Sequence, residues 1–440
     1  MSPFIRRNLW LFIICFVTLP ISAADEERIP GTLNGQRGLK AVPIMARQSM
    51  PFPILGVGVD GDGTVYVTET QRQMREEISL IQSGRVKVQS RFLQEQCMGL
   101  TSTQSKRQFI EAYFSSEMAK RQSILDFDKD GDIDKDDLQV RSEKIYTLQD
   151  ADDDGVYDQA TLFADGFNSI ITGVAHSVAP INGDVYATII PDLWKLTDTN
   201  GDGKADHRES VAHGFAPHIG YGNHDLHSVI QGYDGKLYWS MGDRGANVVS
   251  KDGRTVRNPH SGCILRSNPD GTELELFAYG LRNCQYIDFD DYGNLFSIDH
   301  DADFQGESER LVYLPEGSDS GWRMYYQYRQ DTGLTNATRP DMYNPWLNEK
   351  MWIPFHKGQP SHILPPIENS WNAPAAFSFQ PGAALGGKYS GHFLVGLKGE
   401  IRAFRMVADG ASFKREGNEV VVGALGSQVL TSTIGPDGRM

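Results

Sequence analysis

Six short hairpin signatures in a chain with 45 Gly and 21 Pro, together with recurrent acidic loops, predict an all-β fold: a six-bladed β-propeller carrying a helical insertion. Each signature is a Gly followed two residues later by an apolar residue and then usually an aromatic one. They read Gly63-Thr-Val-Tyr66, Gly183-Asp-Val-Tyr186, Gly235-Lys-Leu-Tyr238, Gly293-Asn-Leu-Phe296 and Gly391-His-Phe-Leu394, with Gly438-Arg-Met440 opening a sixth. Several follow Asp or Asn, the chemistry of a tight turn between two strands. Gly183, Gly235 and Gly293 stand 52 and 58 residues apart, and Gly391 and Gly438 stand 47 apart. Hairpins repeated every 40 to 60 residues or so are the mark of blades that bury their faces against one another.

The elements follow in order. Residues 1–24 carry Arg6 and Arg7, an apolar run from Leu9 to Leu19, and Ser22-Ala23-Ala24 before Asp25. The run is about half the roughly 20 residues a spanning helix needs, so the segment reads as a secretory signal cleaved after Ala24. An uncleaved anchor and a twin-arginine export signal are the alternatives. The propeller then occupies 25–440. The long gap after Gly63 holds a helical and acidic-loop insertion at about 85–148, where Phe109, Ile110, Tyr113 and Phe114 share one helical face. The gap after Gly293 holds a long ordered loop at about 316–372, rich in Trp, Tyr, Pro and Asn. The chain stops at Met440 where a sixth blade should continue, so the last blade is expected to be truncated and the protein to extend further.

The 440 residues are 40% hydrophobic and carry a net charge of −15. That field repels nucleic acid and anionic membrane. It suits a chain that binds divalent cations. Once Cys15 leaves with the signal, Cys97, Cys263 and Cys284 remain, enough for at most one disulfide. Cys263 and Cys284 are one candidate pair and two buried free thiols are the other reading. No CxxCH occurs, so no c-type haem attaches to this chain.

Three segments have the oxygen spacing of a calcium loop. The first is Asp126-x-Asp128-x-Asp130-Gly131 with Asp134 and Asp137; the second is Asp150-x-Asp152-x-Asp154-Gly155 with Asp158; the third is Asp198-x-Asn200-x-Asp202-Gly203 with Asp206 and Glu209. Calcium takes six to eight hard oxygens at about 2.3–2.6 Å, and Gly at the sixth position makes the sharp turn that gathers them. The first loop, beside the helical insertion, is the nearest to an EF-hand. Solvated acidic turns are the plain alternative for all three.

A second constellation emerges when ionisable residues are registered against the hairpin glycines. His224 lies 11 residues before Gly235, and Arg282 lies 11 before Gly293, so both fall near the start of a blade's first strand. First strands line a propeller's axis, and equivalent side chains converge there. Glu69, Asp243-Arg244, Asp299-His300-Asp301 and Lys398 fall at the ends of second strands, which return to the same mouth. A mouth of mixed charges suits a small-molecule site. His224 is the natural proton acceptor, because its pKa lies near neutrality. Five histidines (207, 213, 218, 224 and 227) fall within 21 residues, so a transition-metal site is an alternative.

Asn223-His224, then Gly235-Lys-Leu-Tyr-Trp-Ser-Met-Gly-Asp-Arg-Gly, Gly280-Leu-Arg-Asn283 and Gly293-Asn-Leu-Phe together resemble the soluble quinoprotein glucose and sorbosone dehydrogenases. With Ser318-Asp-Ser-Gly-Trp322-Arg, Gln359-Pro-Ser-His-Ile-Leu-Pro-Pro366 and Asn200-Gly-Asp-Gly-Lys-Ala-Asp206, the likeness is greatest to the propeller module of large secreted bacterial proteins called membrane-bound dehydrogenases, which continue into haem-binding CxxCH domains. It covers about residues 53–440 apart from the helical insertion. The resemblance implies a secreted or periplasmic dehydrogenase that oxidises a sugar or a related alcohol or aldehyde, using pyrroloquinoline quinone (PQQ) and calcium, with a cytochrome as electron acceptor. By motif, His224 and Arg282 look catalytic, and Arg282, Asn283, His300 and Lys398 look like the cofactor site. The family's arginines before the last hairpin are replaced by Ser427-Gln-Val-Leu430, and Cys284 stands where a proline usually follows Arg-Asn. A non-catalytic propeller that binds carbohydrate or a partner, and a calcium-dependent lactonase-like hydrolase, are the competing classes.

Overall fold

The computed structural model describes residues 52–72, 99–114, 125–152, 159–220, 223–300, 308–323, 364–382 and 384–423, with the short stretches 14–17, 40–43, 157, 425, 428–436, 438 and 440. Strands β1 (Ile14–Val17) and β2 (Lys40–Pro43) pair antiparallel as a separate two-stranded sheet. The rest of the export segment and Cys97 lie outside the described residues. Among those described, no helix is long and apolar enough to cross a membrane.

Five antiparallel sheets of propeller-blade type follow. The first is β3 (Ile54–Val59), β4 (Val65–Glu69), β5 (Glu143–Gln149) and β6 (Gln159–Phe167). The second is β7 (Ala175–Ile181), β8 (Asp184–Ile189), β9 (Asp192–Thr197) and β10 (His207–Phe215). The third begins with β11 (Leu226–Gln231) and β12 (Leu237–Met241). The hairpin β13 (Ala246–Val249) and β14 (Thr255–Asn258) leaves it to extend the second sheet's outer edge, and β15 (Gly262–Ser267) and β16 (Glu275–Leu281) resume the third. The fourth is β17 (Cys284–Phe289), β18 (Leu295–Asp299) and β19 (Arg310–Tyr313), closed by β21 (Glu368–Asn369), while β20 (Ser318–Asp319) pairs parallel to β16. The fifth is β22 (Phe377–Gln380), β23 (His392–Leu397), β24 (Glu400–Asp409) and β25 (Ser412–Val422).

All six signature glycines have positive φ, from +70° at Gly391 to +89° at Gly63, which is why a side chain is excluded there. Five of them turn the chain from a first strand into a second, as the spacing predicts. The first strands β3, β7, β11, β17 and β22 stand in succession around a central channel. At the sixth angular place the wall is the irregular segment Thr431–Ile434, whose Ser432 Oγ lies 3.0 Å from Ser378 Oγ. Five blades and this segment are what the described residues contain. A complete sixth blade is not among them.

Adjacent blades are held by apolar clusters that span them: Phe163 and Phe167 with Val178 and Ile189, Phe215 with Trp239, Tyr238 and Phe277 with Ile287, and Phe296 with Phe377 and Phe393. Helix α1 (Thr103–Tyr113) starts on a Ser102–Ser105 capping box and buries Phe109 and Ile110. It docks on the second blade through Lys106 Nζ to Ala216 O (3.2 Å) and Thr103 Oγ1 to His213 Nε2 (3.0 Å). Residues 143–149, inside the span read as insertion, form the first blade's third strand: Glu143, Ile145 and Thr147 are buried in alternation with Lys144 and Tyr146, a strand period that the neighbouring helical pattern masks. Cys263 and Cys284 are both buried free thiols, which settles the pairing against a disulfide between them.

Buried Glu143 joins the first two blades, accepting hydrogen bonds from the N–H groups of Gln71 (2.9 Å), Arg72 (2.8 Å) and Ala175 (2.6 Å). Burial pushes its carboxyl from 4.5 up to about 7. Between those values the folded chain keeps a proton that the unfolded chain releases. Stability therefore falls as pH rises through that window, by about 3 kcal/mol if Glu143 acts alone. Urea unfolding at about pH 5 should give a higher midpoint than at about pH 8, and Glu143→Gln, which cannot titrate, should flatten the difference. An undiminished slope in that variant would assign it to other groups.

Candidate active site at the propeller mouth

The starts of β11 and β17 and the ends of β12 and β18 meet at one end of the axis. Asn223 adopts φ +69°, a conformation Asn tolerates, and this turns His224 inward just before β11. Gly242 follows β12 where a Cβ would lie 2.6 Å from His224 C, 2.7 Å from His224 O and 2.8 Å from Asn283 Oδ1, so only glycine lets the next residue, Asp243, pass under the histidine. His224 Nδ1 then lies 2.7 Å from Asp243 Oδ1. Trp322 donates its indole N–H to Asp243 Oδ2 at 3.1 Å, and the Arg282 guanidinium lies 5.5 Å from the Trp322 ring centre. Arg282 Nη1 also donates to His300 O at 2.6 Å. His224, Asp243, Trp322 and Arg282 thus form one contiguous buried chain.

Its surroundings keep it rigid. His227 Nε2 lies 2.8 Å from Asn283 Oδ1, and Asn283 Nδ2 donates to Asn223 O at 3.0 Å. His176 packs edge-on against His227 with centroids 4.0 Å apart. Burial lowers the pKa of His176, His300 and His227, the last to about 3, so these three rings stay neutral near pH 7. Two ion pairs are sealed below them: Arg244 with Asp225 at 2.5 Å, and Arg310 with Asp299. Asp299 also accepts the N–H groups of Arg282 (3.0 Å) and Asn283 (2.7 Å), pinning the start of β17.

The equal offsets of His224 and Arg282 from their glycines therefore correspond to one mouth, with Asn283 and His300 beside them. Lys398 follows β23, is exposed, and sits in an isolated bridge opposite Gln428; no contact among the described residues links it to His224 or Arg282. Asn283 spends its amide on the scaffold. His176 and Trp322 carry weight that the sequence reading did not give them. The missed signal for His176 is its position seven residues before Gly183, the same offset that Ser228 and Tyr286 have from their own glycines.

Of the three acidic loops, the first is the most compact. Carboxylate oxygens of Asp126, Asp128 and Asp130 lie within 4.8 Å of one another, and Gly131 has φ +102°. Repulsion, with Asp130 first, raises the pKa of Asp132. Asp137 is buried and accepts the N–H groups of Phe127 (2.5 Å) and Asp134 (2.9 Å), while Asp134 accepts that of Asp136 (2.7 Å). In the third loop Asp198 accepts from Gly201 and Gly203 (both 2.7 Å) and Asn200 from Asp202 (2.9 Å), but Asp206 is engaged by Thr199 and Glu209 by Lys251. Asp202 turns its carboxylate to the N–H of Lys204 (3.0 Å). Asp150 and Asp152 are described in the second loop; Asp154 and Asp158 lie outside the described residues.

Fold and site together define a propeller with a histidine–carboxylate pair at its mouth. The chain belongs to the family described as a domain of unknown function (DUF7133), whose model matches residues 44–396. No curated protein matches it. Among solved structures it is similar to the PQQ-bound aldose sugar dehydrogenase of Streptomyces coelicolor (14% identity, 88% of this chain and 85% of that one, TM-score 0.47). It is similar also to a glucose dehydrogenase-type oxidoreductase of Thermus thermophilus (13%, 88% and 89%, TM-score 0.46) and to the aldose sugar dehydrogenase of Escherichia coli (12%, 63% and 81%, TM-score 0.41).

A carboxylate on Nδ1 fixes that nitrogen as the protonated one in neutral His224 and leaves Nε2 basic. Nitrogen-15 NMR of the ring should report this single tautomer, and Asp243→Asn should produce a mixture. Gly242→Ala should scramble the ring environment in the same spectrum, since the added methyl displaces the His224 backbone.

Proposed function

We propose that the mouth oxidises a hydroxyl of a sugar or related alcohol, with His224 as general base and a quinone as hydride acceptor. The observation that carries this reading is the buried His224–Asp243 pair continuing through Trp322 to Arg282. His224 Nε2 would take the hydroxyl proton, and Asp243 would stabilise the resulting imidazolium, a positioned base being worth about 10²- to 10⁴-fold in rate. Arg282, held over Trp322 and by His300 O, would stabilise negative charge growing beside it. PQQ would accept the hydride. The donor set suits the base side of such a reaction. On the anion side, Arg244 and Arg310 are committed to Asp225 and Asp299, so among the described residues at the mouth Arg282 would face the cofactor's carboxylates, with Lys398 added by the resemblance alone. Gln428, in the stretch where the resembling enzymes carry arginines, donates to Ala373 O at 3.0 Å.

The commitment of Arg244 and Arg310 to internal pairs favours one second reading, a propeller that binds a carbohydrate without turning it over. Titration of the calcium-loaded protein with PQQ, followed by dye reduction with a panel of aldoses, separates the two. The first reading expects quinone binding and turnover, with His224→Ala lowering the rate by at least about a hundredfold and Arg282→Ala weakening the quinone. Sugar binding without quinone binding would overturn it.

The acidic loops support a structural role for calcium, with Asp126, Asp128 and Asp130 the core of the first site and Asp198, Asn200 and Asp202 of the third. A cation there relieves the repulsion among the carboxylates and adds RT ln(1 + [L]/Kd) to stability, about 2.7 kcal/mol at a hundredfold excess over Kd. Chelation should lower Tm and calcium should restore it; Asp126→Asn with Asp130→Asn should remove the first site's share. The export reading of residues 1–24 is consistent with such a calcium-rich compartment, and N-terminal sequencing of the mature protein tests cleavage after Ala24.

A further inference from the structure

The channel does not end at the mouth. Below the His176–Tyr286 layer, where Tyr286 donates its hydroxyl to Leu55 O at 2.6 Å, it opens into a separate cavity of about 400 Å³ reaching the opposite end of the axis. Its described wall mixes apolar and aromatic side chains with the hydroxyl residues of the inner strands, among them the facing pair Ser378 and Ser432, and with one carboxylate, Asp288. Asp288 accepts the N–H groups of Phe289 (2.8 Å) and Phe379 (2.7 Å), which fix the carboxylate in place. No basic side chain lies among the described residues of this wall. Burial raises the Asp288 carboxyl to about 6, the direction expected of an anion held without a counter-charge. Tyr233, 70% exposed, stands at the rim with its ring centre 6.0 Å from that of Phe289.

We infer that this lower cavity is a second binding site, for a small organic cation such as a substituted ammonium group, held between the Asp288 carboxylate and the rings of Tyr233, Phe289 and Phe379. A volume of several hundred Å³ with few placed polar groups is typical of small-molecule sites. A diffuse cation suits this wall better than a divalent metal does, because a single carboxylate among the lining side chains is little charge for calcium, whereas aromatic faces attract alkylammonium groups. The acidic turn residues Asp290 and Asp291 next to the rim bias the potential towards cations.

The test is calorimetric titration of the full chain with choline and with its neutral carbon isostere, 3,3-dimethylbutan-1-ol. The expected result is binding of choline, at least about tenfold stronger than of the alcohol, a difference that Asp288→Asn abolishes. Tyr233→Ala, at a position too exposed to threaten folding, should weaken choline several-fold, and His224→Ala should leave it unchanged. Equal affinity for choline and the alcohol would show an apolar cavity only. Absence of binding at about 1 mM choline, or choline binding unaltered in both Asp288→Asn and Tyr233→Ala, would overturn the assignment.

Discussion

The mouth of this propeller depends on buried carboxylates that take up main-chain N–H groups where the blades stop pairing. Inner strands converge on the axis, and at their ends the sheet ladder no longer supplies acceptors. An orphaned buried N–H costs about 1–3 kcal/mol. Glu143 answers this for Gln71, Arg72 and Ala175, linking the first blade to the second. Asp299 does the same for Arg282 and Asn283 while holding Arg310. These carboxylates sit at the axis because the backbone needs them there, and the functional side chains are positioned by the same bonds.

Asp243 differs from its neighbours in what it holds. It takes two side-chain donors, His224 and Trp322, and so ties an inner-strand start to a segment that lies 79 residues beyond Asp243 itself. His176, His227 and His300 are held neutral by burial, whereas the His224 ring is hydrogen-bonded to a carboxylate that can balance a gained proton. A base and a guanidinium end up on one buried path, while Arg244 and Arg310 are consumed by internal pairing.

The two ends of the axis are chemically unlike. At the mouth, histidines, arginines and carboxylates pair with one another; at the other end, one carboxylate among the described residues lines the cavity. The layer of His176 and Tyr286 stands between them. Blade turns explain part of the contrast: the turns that open the second strands lie away from the mouth, and three of the five are Asp-Gly or Asn-Gly, so that face collects acidic residues for reasons of turn chemistry.

Much of this was legible in the sequence, for identifiable reasons. A left-handed turn needs glycine whatever packs around it, so Gly63, Gly183, Gly235, Gly293 and Gly391 announced the blades, and equal offsets from them put His224 and Arg282 at one mouth. Local pattern also announced α1 and the calcium-like spacings. The third strand of the first blade was hidden, because seven alternating residues beside a helical insertion carry little signal of their own. Trp322 as a partner of Asp243, the inward turn of His176, the sealing of Arg244 and Arg310, the free state of Cys263 and Cys284 and the lone Asp288 below the axis were decided by tertiary structure alone. Each depends on which distant atoms come within about 3 Å, and hydrogen bonds and desolvation act at that range without leaving a periodicity in the chain.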